Sequence, residues 1–138
     1  MLNTKVQDFM QRTLPHITPE TEMTTAISEL QKFKLLGAPV FDDNKSLVGF
    51  ISEQELLQPL MQNSYFCDGV VKVKQLMRTD VVTVSSDQNI IELADGMQTG
   101  KPKNYPVIED GKVVGMISRG DVLKALYENY VSCQEHQV

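Results

Sequence analysis

Val113-Val114-Gly115-Met116-Ile117-Ser118-Arg119-Gly120-Asp121 is the stretch on which the reading of this chain turns. Its alternating apolar residues mark a strand, and a hydroxyl followed three residues later by a carboxylate marks the start of a helix. The same order occurs earlier, at Leu47-Val48-Gly49-Phe50-Ile51-Ser52-Glu53-Gln54-Glu55. Two copies of one signature within 138 residues point to internal duplication.

Working outward, the duplication extends to both sides. Val6, Phe9 and Met10 recur as Val73, Leu76 and Met77, and Ala38-Pro39-Val40-Phe41 recurs as Tyr105-Pro106-Val107-Ile108. The turn Glu109-Asp110-Gly111-Lys112 is one residue shorter than its first-half counterpart, a single indel in an otherwise matched register. Between these landmarks, Leu14–Thr18 is extended because Pro15 and Pro19 forbid helix. Thr18 or Thr21 can cap a helix carrying Met23, Ala26, Ile27, Leu30 and Phe33 on one face, with Gly37 ending it. Val81–Val84 reads as the second-half strand, and Ser85 or Ser86 as the cap of a helix carrying Ile90, Leu93, Ala94 and Met97. Leu56, Leu57, Leu60 and Met61 form the buried stripe of the helix after Ser52, in which Pro59 predicts a kink or an early end. Val122, Leu123, Leu126 and Tyr127 form the stripe of the last helix. The fold class is therefore α/β (α+β), a β-α-β-β-α unit used twice. Repeat 1 spans 1–61, a connector 62–72, repeat 2 73–130 and a flexible polar tail 131–138. Each unit is too small to bury its helices alone, so the expectation is one shared core.

Composition narrows the function classes. The net charge is -5 and no lysine or arginine run is longer than two, so a general affinity for nucleic acid or anionic membrane is not expected. A local basic spot around Lys101, Lys103, Lys112 and Arg119 stays open. No apolar run approaches the ~18 residues of a membrane span, and the N-terminus has no export pattern, which reads as a cytoplasmic protein. Cys67 and Cys133 have no metal-type spacing; they read as free thiols, with a disulfide the alternative. His16 and His136 stand alone, so no metal is expected. The sequence contains no P-loop, GxGxxG fingerprint, nucleophile elbow or paired-carboxylate hydrolase pattern, and an enzyme is the poorest reading.

The duplicated pattern resembles the cystathionine-β-synthase (CBS) domain, and the pair resembles a free-standing Bateman module. The resemblance rests on Phe9-Met10 and Leu76-Met77, on Pro39 and Pro106, and on the two Gly-x-Ile-Ser-x-x-acid endings. It implies a cleft between repeats that binds an adenosine-containing ligand such as AMP, ADP, ATP or S-adenosylmethionine as a regulatory ligand, with no required cofactor. By resemblance the clefts are crossed. One site then takes Met116, Ser118, Arg119 and Asp121 with Leu36, Gly37, Ala38 and the Gln11–Thr13 loop, Thr13 included. A weaker second site takes Phe50, Ser52 and Glu55 with Asn104, Tyr105 and the Arg78–Asp80 loop, including Thr79 and Asp80. A carboxylate at a helix start can accept both ribose hydroxyls, and the neighbouring helix terminus favours a phosphate. Glu55 has an extra methylene where the family's ribose-binding acid is usually aspartate, and Glu53 stands where repeat 2 has Arg119, so the Asp121 site is expected to be the competent one. The resemblance also implies a homodimer through the amphipathic helices and an unidentified effector protein as partner. Against the binding reading stands simple capping, since serine and acidic residues stabilise a first helical turn regardless of ligand. The alternative function is a ligand-free dimerisation or scaffold module with vestigial clefts.

Overall fold

A computed structural model describes residues 4–63, 69–97 and 100–135. Cys67 and His136 lie outside the described residues. The first repeat gives a 3-10 turn at Val6–Asp8, α1 (Met23–Phe33), β1 (Gly37–Phe41), β2 (Leu47–Ser52) and α2 (Glu53–Asn63), with no strand formed ahead of α1 among the described residues. The order then begins again with a 3-10 turn at Val73–Gln75, β3 (Val84–Ser85), α3 (Ile90–Gly96), β4 (Asn104–Glu109), β5 (Lys112–Ser118) and α4 (Arg119–Glu135). β1 and β2 pair antiparallel, with Gly37 opposite Ser52 and Pro39 opposite Phe50. The second sheet has the order β3-β4-β5, and β3 runs parallel to β4 through Val84–Val107 and Ser85–Ile108.

Several local expectations give way to more specific solutions. The second-half strand lies at Val84–Ser85 rather than over Val81–Val84. In the first half, the segment between Pro15 and Pro19 holds β1 through Phe41 N–H donating to Ile17 C=O (3.1 Å); prolines supply no ladder donors. α1 is preceded by Glu22 without a side-chain cap, because Thr21 Oγ1 instead accepts from Thr18 N–H (2.9 Å), and Met23 N–H donates to Val71 C=O. α1 ends at Lys34 in the left-handed region, so Gly37 is freed to begin β1. Asn89, not Ser85 or Ser86, caps α3, accepting from Ile91 and Glu92 N–H. α2 continues past Pro59 to Asn63. α4 runs through Val131–Glu135, residues the sequence reading gives to the tail. The β4–β5 hairpin closes on Asp110 and Gly111, both at positive φ (51° and 76°), the two-residue geometry that fits strand twist.

The chain forms two compact units, and their make-up departs from a simple split between repeats. One comprises Met1–Arg12, Val82–Glu109 and Val114–Val138; the other comprises Thr13–Val81 and Asp110–Val113. The leading arm of each repeat therefore belongs with the body of the other. In the first unit Val6 N–H donates to Gln88 C=O, Gln7 N–H to Ser86 C=O, and Ile90 N–H to Thr4 C=O. In the second unit the same three bonds recur as Val73 to Thr21, Lys74 to Pro19, and Met23 to Val71. Each exchanged arm brings buried apolar groups: Val6 and Met10 join Val84, Ile90, Leu93, Val107, Ile117 and Val122, while Val73 joins Ile17, Met23, Leu30, Val40 and Ile51. The expected single core is in fact one cluster per unit. An arm from the other repeat supplies the apolar surface that each short repeat lacks.

Both signature glycines are explained by these arms. A Cβ on Gly115 would lie 2.6 Å from the Gln11 carbonyl oxygen and 2.9 Å from Met10 Sδ. A Cβ on Gly49 would lie 2.8 Å from the Arg78 carbonyl oxygen and 2.7 Å from Met77 Sδ. The backbones then pair: Gln11 and Met116 exchange both main-chain bonds (2.8 and 2.9 Å), as do Arg78 and Phe50 (2.8 and 2.9 Å). Gly-x-Ile-Ser is thus an arm-docking sequence before it is anything else.

Candidate functional site: two serine–acid corners

Each hairpin ends in a corner where a strand becomes a helix. At the β5–α4 corner, Ser118 N–H donates to Asp121 Oδ2 (2.9 Å) and Asp121 N–H donates to Ser118 Oγ (3.1 Å). This reciprocal pair is a capping box. Because Ser118 Oγ accepts, its own proton stays available to a further acceptor. The helix start is anchored by Arg119 N–H donating to Lys103 C=O (2.8 Å), which ties α4 to the residue before β4. Gln11, held by its backbone pair with Met116, donates through Nε2 to Asp121 Oδ2 at 3.5 Å.

The β2–α2 corner has the same frame and different chemistry. Glu53 N–H donates to Leu36 C=O (3.0 Å), the counterpart of the Arg119 anchor. Here the acid is longer by one methylene, and Glu55 Oε1 accepts from both Ser52 N–H (2.9 Å) and Ser52 Oγ (2.7 Å). The serine proton is committed inside the corner. Arg78 stands where the other corner has Gln11, and its side chain is exposed, as are Thr79 and Asp80.

The remaining sequence-predicted residues divide between the two units. Gly37 and Ala38 pair with Ser52 and Ile51 in their own hairpin, and Gly37 is required because a Cβ would meet the Phe50 ring at 2.6 Å. Leu36, more than half exposed, lines a cavity of about 450 Å³ with Ile27, Leu35, Leu57 and Leu60 of the same unit. Thr13 also belongs to that second unit, and is exposed. Met116 is buried under the Gln11 arm. Asn104 begins β4, and Tyr105 beside it is buried. Burial pushes the Tyr105 phenol up, and the positive charge of Arg119 acts in the opposite direction. Within the first unit Gln11, the first residue of the Gln11–Thr13 loop, bonds Asp121. The signal for it was present in the sequence: it follows Met10, as Arg78 follows Met77, and those methionines sit on the signature glycines.

The helical stripes divide between core and surface. Leu56 and Val122 are buried at 3% exposure each, whereas Leu57 (61%), Leu123 (69%) and Tyr127 (66%) face outward. Among the described residues, no group of three His, Cys, Asp or Glu side chains is placed to hold a metal ion, and no helix is long and apolar enough to cross a membrane. His16 packs edge-on against Phe41, with ring centroids 5.5 Å apart.

Two short hairpins, each with an exchanged arm docked on a glycine and a serine–acid corner at its end, define a paired-repeat α/β module. The CBS domain family matches the chain twice, over residues 6–61 and 73–128. The chain belongs to that family, as a CBS domain pair. Among solved structures it is similar to the crystal structure of CBSX2, a CBS-pair protein of Arabidopsis thaliana, in complex with AMP: 30% identity, TM-score 0.77, covering 93% of this chain and 99% of that one. It is similar also to a putative acetoin utilization protein (AcuB) from Vibrio cholerae, at 26% identity and TM-score 0.82, covering 99% of this chain and all of that one (100%). A sequence relative is the A-adding tRNA nucleotidyltransferase of Aquifex aeolicus, 32% identical over 126 residues. The match covers 91% of this chain and 15% of that enzyme, so the likeness is to one part of a much longer protein.

Proposed function

We propose that this CBS pair is a non-enzymatic regulatory module that binds an adenosine-containing ligand, of the AMP, ADP, ATP or S-adenosylmethionine type, at the β5–α4 corner. The observation that carries the reading is the state of that corner: Asp121 presents a carboxylate at a helix start and Ser118 retains a donor proton. The crystal structure of the similar protein CBSX2 with AMP supports the ligand class. Asp121 accepts from ribose hydroxyls through charge-assisted bonds, while Ser118 and Arg119 serve the phosphate end. The ligand acts on an effector protein only by the difference in its affinity for two states of the module. An exposed Cys133 thiol fits a reducing cytoplasm. Isothermal calorimetry with AMP, ADP, ATP and S-adenosylmethionine tests the proposal. Sub-millimolar binding of at least one, lost in Asp121→Ala, is expected; no binding, or binding indifferent to Asp121→Ala, contradicts it.

A second reading, a ligand-free dimerisation module, is favoured by a separate observation. Leu57, Leu123 and Tyr127 are large apolar side chains left outward on α2 and α4, the kind of surface a homodimer covers. A thermal-shift screen separates them, since a specific ligand raises the melting temperature by mass action and a pure scaffold shows no rise.

A further inference from the structure

Gln11 lies at an unusual point of the β5–α4 corner. Its backbone is fixed on both sides by the exchange with Met116 and by the close approach to Gly115. Its side chain is not fixed in the same way. The Nε2 to Asp121 Oδ2 distance is 3.5 Å, well beyond the optimum of about 2.9 Å for an N–H···O bond. Nε2, which only donates, stands beside the carboxylate Oδ2, which accepts; at 3.5 Å no atom fits between them, and a third group must lie alongside both. An aliphatic hydroxyl can complete both sides at once, donating its proton to Asp121 and accepting from Gln11. A hydrogen atom, a methyl group or a phosphate oxygen cannot.

We propose that Gln11 is a specificity-determining residue that reads one sugar hydroxyl jointly with Asp121, so that this corner selects a vicinal diol over its deoxy analogue. The inference rests on the adenosine-ligand reading above and adds a residue and a chemical criterion to it. The other corner reinforces it by contrast. Arg78 occupies the equivalent arm position, and Glu55 folds onto its own serine instead of meeting the arm. Only the β5–α4 corner joins arm and acid through a side-chain donor among the hydrogen bonds of the described residues.

The test is calorimetric binding of AMP, 2′-deoxy-AMP and 3′-deoxy-AMP to the wild type, to Gln11→Met and to Gln11→Glu, with Asp121→Ala as control. Methionine keeps length and removes both polar atoms; glutamate keeps shape, removes the donor and covers the case in which Gln11→Met fails to fold. Gln11→Met is expected to weaken AMP about 3- to 10-fold, the range of one neutral hydrogen bond, while leaving one of the two deoxy analogues within about 2-fold of its wild-type value. Gln11→Glu should show the same analogue dependence, with an added loss that is relieved as the pH falls and the second carboxyl is protonated. Equal weakening of all three nucleotides, or of none, overturns the role of Gln11 while leaving the Asp121 site standing if Asp121→Ala still abolishes binding. If the wild type binds none of AMP, ADP, ATP and S-adenosylmethionine, both readings fall; if it binds another of them instead of AMP, the same comparison is made with the 2′- and 3′-deoxy forms of that ligand.

Discussion

The β5–α4 and β2–α2 corners share a frame and differ by one methylene. Both docked arms approach a glycine, both helices begin with an N–H bonded to the residue before the first strand of the hairpin, and both corners place serine three residues before an acid. Asp121, the shorter acid, takes the Ser118 backbone proton while the serine hydroxyl accepts from the helix. Glu55 is long enough to take both the backbone and hydroxyl protons of Ser52. A duplicated fold can thus keep its architecture in both copies while one copy closes its own corner.

The largest effect is expected where the two copies are alike. Gly115→Ala and Gly49→Ala each force a Cβ against an arm carbonyl oxygen at 2.6 or 2.8 Å. Each should lower stability by about 2–3 kcal/mol in urea melts, since the obstacle is backbone paired on both sides. A cost confined to Gly115 would show that the arms are not equivalent. Next comes the chemical difference: Asp121→Ala should weaken AMP binding by more than about 10-fold, the scale of hydrogen bonds to a charged group, whereas Glu55→Ala should leave it within about 2-fold. The reverse order in calorimetry would assign the open corner to the wrong repeat. A finer change, Glu55→Asp, should convert the closed corner into the open one. Its crystal structure should show the shortened acid accepting from Ser52 N–H, with Ser52 Oγ turned to accept from the residue 55 N–H.

The smallest effect concerns the arms' outer pins. Glu20 bonds Lys72 Nζ (2.6 Å) and Lys74 Nζ (2.8 Å) in the second unit. The bonds to Lys72 and Lys74 hold the Glu20 carboxyl down at about 2, below its ordinary 4.5, and the same pair raises Lys72. A depressed acid stabilises the fold fully above its unfolded value and loses that contribution as the pH falls through 4.5 towards about 2. Because all three side chains are exposed, Glu20→Gln should alter only the acid limb of a thermal-melt series, and salt on the order of 1 M should erase the difference.

Much of this was legible in the sequence because duplication gives every local signal a second witness. The paired Gly-x-Ile-Ser endings, the strand prolines and the Met10/Met77 match define the repeat, and the structure follows it except at β3, which has no matching strand in the first repeat. What a linear reading could not supply was the exchange of arms, since hydrophobic periodicity says which side chains are buried and not against which repeat. The cap assignments failed for a related reason: Thr21 and Asn89 compete with their neighbours for the same backbone protons, and only the local geometry decides. The serine–acid spacing was visible in both copies. Whether the acid folds onto its serine depends on one methylene and a rotamer.

A crystal structure of the protein with AMP, inspected at both corners, tests the central claim most directly. The account predicts AMP with its ribose hydroxyls within hydrogen-bond distance of Asp121, and the Ser52–Glu55 bonds intact with no nucleotide beside them. AMP held at Glu55 with the Asp121 corner vacant would contradict it.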